Sequence, residues 1–478
     1  MARRLLTLLA ALLLALALGQ SSASAASFSN PVKAQKGADP WISYHDGNYY
    51  LVTTSWTNAI TMRRSATLAG LATAPSVQVW TGDAANRCCN IWAPEIHFIN
   101  GHWYLYYVAG QNVSDYNPTQ RTHVLESAGT DPMGPYTYKN QLNSSWMLDP
   151  TVATINDQLY LFGSASGGTQ NLVAARLSNP YTLATGFSTI STPTNSWEKS
   201  GGSVNEGPEI LQRGGKTFLV YSASGCWTPD YKLGQLTLTG SDPLSASSWT
   251  KKSTPVFQRN DSAGVYGPGH NGFFTSPDGT ENWIVYHAND SASDGCDNGR
   301  TTRAQKFTWN SDGTPNLGTP VALGASLTGP AGEPSAASTT YTLTNRNSGK
   351  CFEVAGGSTA DGANVQQYTC NGGSNQRWRV EDQGDDTSRL VNVAGGKVLD
   401  TADCSTADGA DLRQWTWLNN TCQRFRFLVT DSGYVRIVNQ ATGKVADVAN
   451  CSTADAADVR QWTWLNNTCQ QWRLTPVQ

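Results

Sequence analysis

The sequence predicts an all-β chain, a five-bladed β-propeller followed by a β-trefoil, and three observations predict it. The C-terminal third repeats without gaps at a period of 47 residues, so that Lys350, Lys397 and Lys444 open matching stretches. The region before it carries five copies of a looser pattern, in which an acidic or small residue precedes a proline and an aromatic-rich strand follows about nine residues later. Composition agrees with both. With 45 Gly, 17 Trp, 18 Tyr, only 14% charged residues and a mean hydropathy of −0.39, the polarity comes from the residues of exposed strands and turns.

Taken in order, residues 1–26 read as a secretory signal: Arg3 and Arg4 precede an apolar run, and Ala23-Ser24-Ala25-Ala26 is a small-residue cleavage region. The mature protein is therefore expected to be secreted. A retained anchor is the rival, but the apolar run is short for a membrane span. No second such run follows, so no membrane partner is expected. Lys+Arg of 33 against Asp+Glu of 36 gives −3, and without the two arginines of the first segment (31 − 36) the charge is −5. This mild acidity leaves no basic footprint for nucleic acid.

Residues 27–328 hold the five propeller copies. Asp39-Pro40 leads to Tyr49-Tyr50-Leu51, Ala93-Pro94 to Trp103-Tyr104-Leu105, and Asp149-Pro150 to Leu159-Tyr160-Leu161. Gly207-Pro208 leads to Phe218-Leu219-Val220, and Pro268-Gly269-His270 to Trp283-Ile284-Val285. In four of them a turn pair, Asp46-Gly47, Asn100-Gly101, Asn156-Asp157 or Gly214-Gly215, separates two apolar runs and signals a hairpin. The prolines recur every 54 to 60 residues, enough for one four-stranded blade each. A β-sandwich is the alternative, but it leaves the repeated proline without a reason.

Residues 329–339 have linker composition, small and proline-containing with no apolar face. Residues 340–478 hold the three 47-residue repeats, each too short to bury its own face. Around one axis they share a core, and the repeat-ending aromatics Trp378, Phe425 and Trp472 are expected to form it.

Ten cysteines in an exported chain predict disulfides rather than metal thiolates. Cys404/Cys422 and Cys451/Cys469 have equal spacing in near-identical segments, so each pair is expected to close its own small loop. Cys351/Cys370 is expected to do the same one repeat earlier. Cys226 and Cys296 remain as a long-range pair. Cys88 and Cys89 are adjacent, and either pair with each other or stay as buried thiols or pair elsewhere.

In a propeller the repeated inner-strand positions converge at one end of the axial channel. The copies bring Asp39, Glu95, Asp149, Glu206, Glu209 and His270 there. Such a ring of carboxylates in an aromatic-lined cleft suits glycoside hydrolysis, in which one carboxylic acid protonates the leaving oxygen and a second carboxylate activates water or attacks the sugar. Crowding raises the pKa of one member, which supplies the acid near neutral pH. Glu95 and Glu209 follow prolines and read as bonding backbone within their blades, outside the catalytic set. Trp92 is either a substrate platform or channel packing, and His270 has a satisfied core histidine as its bland reading.

Ala38-Asp39-Pro40-Trp41-Ile42, Ile91-Trp92-Ala93-Pro94-Glu95, Leu148-Asp149-Pro150-Thr151 and Asn205-Glu206-Gly207-Pro208-Glu209 resemble the blade motifs of glycoside hydrolase family 43. Within it, the first blade and Trp92-Ala93-Pro94-Glu95 are most similar to exo-α-1,5-L-arabinofuranosidases of actinobacterial type. The resemblance implies an inverting mechanism with Asp39 as general base, Glu206 as general acid and Asp149 tuning and orienting the acid. It also implies substrate-side roles for His270 and Arg303, with Trp92 as the candidate platform beside them. No cofactor is expected for the chemistry. His270 matches the position that holds a metal ion or water in the channel, so a structural Ca²⁺ or Na⁺ near it is the one ion implied.

The C-terminal repeats, with Gln376-Arg377-Trp378 and its counterparts, resemble the ricin-B-type β-trefoil of carbohydrate-binding module family 13. That family's sugar sites map in the first repeat to Glu353, Gln366, Tyr368, Asn375 and Gln376. They map to Asp400, Arg413, Trp415 and Gln423 in the second repeat, and to Asp447, Arg460, Trp462 and Gln470 in the third. Cys422 and Cys469 stand where the family has Asn, which Asn419, Asn420, Asn466 or Asn467 are expected to replace. The second and third repeats agree at 22 of 29 positions from Lys397 and Lys444, solvent-side Trp417 and Trp464 included, which favours two equivalent sugar sites there.

The expected protein is thus a monomeric, secreted glycosidase acting on arabinan or another plant cell-wall polysaccharide. Alternatives on the same scaffold are an exo-β-1,3-galactanase, a β-xylosidase or a catalytically inactive lectin.

Overall fold

The computed structural model of the protein describes residues 27–334 and 339–477. The expected export segment and part of the expected linker, 335–338, lie outside the described residues. Among those described, strands and short 3-10 turns are the only regular elements, and no helix is long and apolar enough to cross a membrane.

Five antiparallel sheets follow one another along the chain. Their inner strands are Trp41–His45, Cys89–Ile99, Met147–Ile155, Asn205–Arg213 and Tyr266–Thr275. Each runs through the predicted hairpin into a second strand and on to a third and fourth. The four turn pairs have positive φ at both central residues, as a hairpin turn matched to strand twist needs.

The repeated proline has a structural reason. The residue before it has positive φ in every copy: 52° at Asp39, 43° at Ala93, 89° at Asp149, 50° at Gly207 and 54° at Gly267. In blades 2 to 5 the inner strand's pairing slips at this point. The result is a bulge that re-aims the strand, at which a residue lacking an N–H forfeits no ladder bond.

Side chains at the end of one blade's second strand then hold the next blade's motif. The Ser164 hydroxyl donates to the Asn205 carbonyl (2.7 Å), and Ser222 Oγ accepts the His270 N–H (2.7 Å). His287 Nδ1 in blade 5 accepts the Asp39 N–H in blade 1 (3.1 Å), which carries the pattern around the ring. The N-terminal segment completes closure: Val32 N–H donates to Thr302 in blade 5, and the Asn30 amide both donates to and accepts from Ala304. Apolar faces pack between blades, for example Tyr49, Leu51, Trp283 and Val285 between blades 1 and 5. Each such side chain contributes about 1.5–3 kcal/mol on burial.

The trefoil runs from Tyr341–Asn345 to Trp472–Pro476. Trp378, Phe425 and Trp472 are buried at its centre as expected, and the two indole N–H groups donate to the Phe352 and Ala446 carbonyls.

Five disulfides form: Cys88–Cys89, Cys226–Cys296, Cys351–Cys370, Cys404–Cys422 and Cys451–Cys469. Cys351 and Cys370 close their own small loop as expected, but at a different place in the repeat from the other two trefoil bridges. At the 47-residue period Cys370 stands where the later repeats have Trp417 and Trp464, and Cys351 where they have Val398 and Val445. Cys370 is exposed at the surface, with its Sγ near the Gly349 carbonyl, whereas Cys422 and Cys469 are buried. The first repeat thus joins the two ends of its strand pair Cys351–Val354 and Val365–Tyr368. The later repeats instead tie a 3-10 turn, Ala402–Cys404 or Ala449–Cys451, to the turn ahead of the core aromatic. This difference leaves Asn375 free to serve as a side-chain amide in the first repeat alone.

The trefoil is docked rather than loosely tethered. Val77 and Gln78 of blade 1 pair in parallel with Phe427 and Leu428, and one apolar cluster continues from blades 1 and 2 into the trefoil. Lys36 bonds Asp386 (2.9 Å) and Arg63 bonds Asp382. The described start of the linker is pinned as well: Glu333 accepts the Leu68 N–H (2.8 Å) and Ala331 N–H donates to Glu281 (3.0 Å). Composition could not reveal this, because the anchoring groups are backbone N–H groups and one acid.

Candidate active site

The bulges bring Asp39, Asp149, Glu206 and His270 together at one end of the propeller axis. Asp39 Oδ1 lies 3.2 Å from His270 Nδ1, 3.3 Å from His287 Nδ1 and 3.3 Å from the Arg300 guanidinium. Its Oδ2 accepts the Thr54 hydroxyl at 2.5 Å. Burial works to raise the Asp39 pKa, but the charges of His270 and Arg300 hold it well below the usual carboxylate range. Asp39 is therefore an ionised carboxylate.

Asp149 and Glu206 are shifted the other way. Asp149 Oδ2 accepts the Gly207 N–H (2.9 Å) and lies 4.0 Å from His270. Burial, with the charges of Glu206 and Asp39 added, pushes its pKa up to about 7. Glu206 accepts from Tyr231 (2.7 Å) at Oε1 and from Gln170 (2.6 Å) at Oε2. Burial raises its pKa too, and those two hydrogen bonds only partly offset it. Burial lowers the pKa of His270, but Asp39, Asp149 and Glu206 raise it overall.

Glu95 and Glu209 depart from the expectation that they bond backbone. Both are buried; Glu95 Oε2 meets His97 Nε2 at 2.8 Å, and burial plus the Glu95 charge pushes Glu209 well above the carboxylate range.

Arg303 is not among these groups. It is fully buried, donates to Thr301 and the Asn289 carbonyl, and pairs with Asp290, whereas Arg300, three residues earlier, is the arginine that reaches Asp39. Trp92 is partly buried, lies edge-to-face with Tyr116, and its indole N–H has no protein acceptor. Sequence reading missed Thr54, Gln170, Tyr231, His287 and Arg300. A signal existed only for His287, one of six histidines in the chain, at the second-strand position equivalent to Ser164 and Ser222.

For the implied channel ion, the donor set is a poor fit. Among the described residues no three His, Cys, Asp or Glu side chains converge as metal ligands, and His270 Nδ1 faces the two aspartates as a donor. A cavity of about 740 Å³ lies between blades 1 and 2 and the trefoil, but its lining holds no carboxylate or histidine.

In the trefoil, Glu353 accepts from Gln366 (2.9 Å), Asn375 (3.2 Å) and Gln376 (2.8 Å), with Tyr368 exposed beside them. The other two repeats are built differently. Arg413 pairs with Asp400 and lies 4.3 Å over Trp415; Arg460 pairs with Asp447 and lies 4.2 Å over Trp462. Gln423 and Gln470 bond backbone at Leu418 and Thr416, and at Leu465 and Thr463, as Gln376 does at Asn371 and Thr369 in the first repeat. Asn420 accepts the Cys422 N–H and Asn419 accepts from Arg424, so neither replaces the missing amide.

A five-bladed propeller with opposed, differently charged carboxylates at one axial end defines a glycoside hydrolase scaffold. The chain belongs to glycosyl hydrolases family 43, whose profile matches residues 28–315; residues 331–415 and 421–478 match the ricin-type β-trefoil lectin domain-like profile. An extracellular exo-α-(1→5)-L-arabinofuranosidase of Streptomyces avermitilis is 44% identical over 313 residues, 62% of this chain and 64% of that protein. The aligned stretch thus spans just under two thirds of that relative. A protein of the same name from Streptomyces chartreusis is 38% identical over 278 residues, 55% of this chain and 83% of its own. The crystal structure of an α-L-arabinofuranosidase from Lactobacillus brevis matches with a TM-score of 0.59 at 35% identity, over 62% of this chain and 98% of that one.

Proposed function

We propose that the protein is an exported glycosidase that releases terminal α-L-arabinofuranose from 1,5-linked arabinan or arabino-oligosaccharides with inversion at the anomeric carbon. The observation that carries this reading is the opposite tuning of two acids facing one site: His270 and Arg300 hold Asp39 well below the usual carboxylate range, while burial shifts Glu206 upward. The names of the two Streptomyces relatives support the choice of sugar and the extracellular site of action.

Asp39 accepts a proton from water as that water's oxygen bonds the anomeric carbon. Glu206 gives its proton to the glycosidic oxygen as the carbon–oxygen bond breaks, and the two acids re-equilibrate with solvent. Asp149 orients the acid by accepting the Gly207 N–H next to it. Thr54 and Arg300 fix the base, and Tyr231 and Gln170 fix the acid. Trp92 borders the sugar on blade 2. No step runs through a metal ion.

The trefoil holds the enzyme on its polysaccharide, with the first repeat as its best-formed sugar site because Glu353 faces neutral amides there. Incubation with linear arabinan, xylo-oligosaccharides and β-1,3-galactan, with the released sugar identified, tests the assignment. Arabinose from the first alone is the expected result. Xylose or galactose would move the protein to another specificity on this scaffold, and no release at all would make it a lectin.

A further inference from the structure

Trp227 is 57% exposed, the one tryptophan among the described residues whose ring stands mostly in solvent. It lies in the loop joining the second and third strands of blade 4, Lys216–Ala223 and Lys232–Leu238. Ala223 pairs with Asn205, so this loop rises at the same end of the blade as Glu206. Tyr231, four residues after Trp227, is the hydroxyl that bonds Glu206.

The loop is rigidly held for so exposed a ring. Cys226 is tied to Cys296 of blade 5, Gly225 N–H donates to Ser200 (2.8 Å), Ser224 N–H to Val204 (3.1 Å), and Gly267 N–H to Pro229 (2.9 Å). One side of the indole is seated on glycine backbone. A Cβ at Gly225 would come within 2.4 Å of the ring and one at Gly201 within 2.8 Å, and Gly202 lies beside them. Gly201 and Gly202 lie only a few residues before Glu206 in the chain. A flat ring with a backbone seat beneath it and water above it, beside the proton donor, has the form of a stacking platform.

We propose that Trp227 stacks the sugar on the leaving-group side of the scissile bond, the neutral furanose unit that follows the one released. This rests on the reading of Glu206 as general acid, because it places the platform on the side where the acid delivers its proton.

The test compares wild type, Trp227→Ala and Trp227→Phe on 1,5-linked arabinotriose and on α-L-arabinofuranosyl fluoride, whose leaving group carries no sugar. In Trp227→Ala, kcat/KM for the trisaccharide is expected to fall about tenfold more than for the fluoride, through KM, the size of one aromatic contact. Trp227→Phe keeps most of the difference, which separates stacking from a folding defect. An unchanged ratio between the two substrates would overturn the platform. If wild type released arabinose from neither substrate, the functional reading would fail first. Calorimetric titration with arabinotriose then decides separately: equal affinity in wild type and Trp227→Ala sinks the platform, and weaker binding in the variant sustains it.

Discussion

The hydroxyl of Thr54 donates to Oδ2 of Asp39 at 2.5 Å, while its oxygen accepts the Ala93 N–H at 2.7 Å. One side chain thereby fixes the base of blade 1 against the motif of blade 2. Thr54→Val should lower kcat by on the order of ten- to a hundredfold, the loss of one hydrogen bond to a charged group. Thr54→Ser should restore most of it. Steady-state kinetics on arabino-oligosaccharides reads both.

Arg300 and Arg303 lie three residues apart and do different work. Arg300→Lys should reduce kcat at least tenfold with little change in melting temperature, because the shorter reach and different shape of the ammonium lose the single Nη1 contact to Asp39 Oδ1. Arg303→Lys should lower the melting temperature, since its buried guanidinium bonds Thr301, Asn289 and Asp290, and should affect kcat less. Paired thermal melts and kinetics distinguish the two.

The reaction needs Asp39 ionised and Glu206 protonated. Asp39 stays ionised through the acid range, so the decisive limb is the alkaline one: kcat/KM falls as pH rises through the raised pKa values of Asp149 and Glu206, near 7 for Asp149. Asp149→Asn removes the group that titrates near 7 and leaves Glu206 alone to set that limb, which should move it to lower pH. A pH profile of kcat/KM for both proteins checks the sign.

In the trefoil, Glu353→Ala should weaken retention on insoluble arabinan more than Asp400→Ala or Asp447→Ala. The latter two acids are already neutralised by arginines that lie on Trp415 and Trp462. Pull-down on the polymer measures it, alongside turnover of a small substrate as a control for folding.

Much of the fold was legible because repetition is a property of the sequence itself. The five X-Pro copies and the three 47-residue repeats placed Asp39, Asp149, Glu206 and His270 on equivalent positions before any geometry was known. The near-identity of repeats two and three showed that Trp415 and Trp462 stand in equivalent places, but not that Arg413 and Arg460 lie over them. Thr54, Tyr231 and Arg300 reach the site from outside the motifs, on segments with no counterpart pattern in the other blades. Trp227 was indistinguishable from strand-packing tryptophans, because its glycine seat comes partly from another segment of the chain.

The central claim is the pairing of an ionised Asp39 with a protonated Glu206 in an inverting arabinofuranosidase. Proton NMR of the first minutes of linear 1,5-arabinan hydrolysis, on wild type, Asp39→Asn and Glu206→Gln, tests it most directly. The account predicts β-L-arabinofuranose as the first product of wild type and almost no turnover by either variant with the fold intact. Initial release of the α-anomer, or near-normal turnover by either variant, would contradict it.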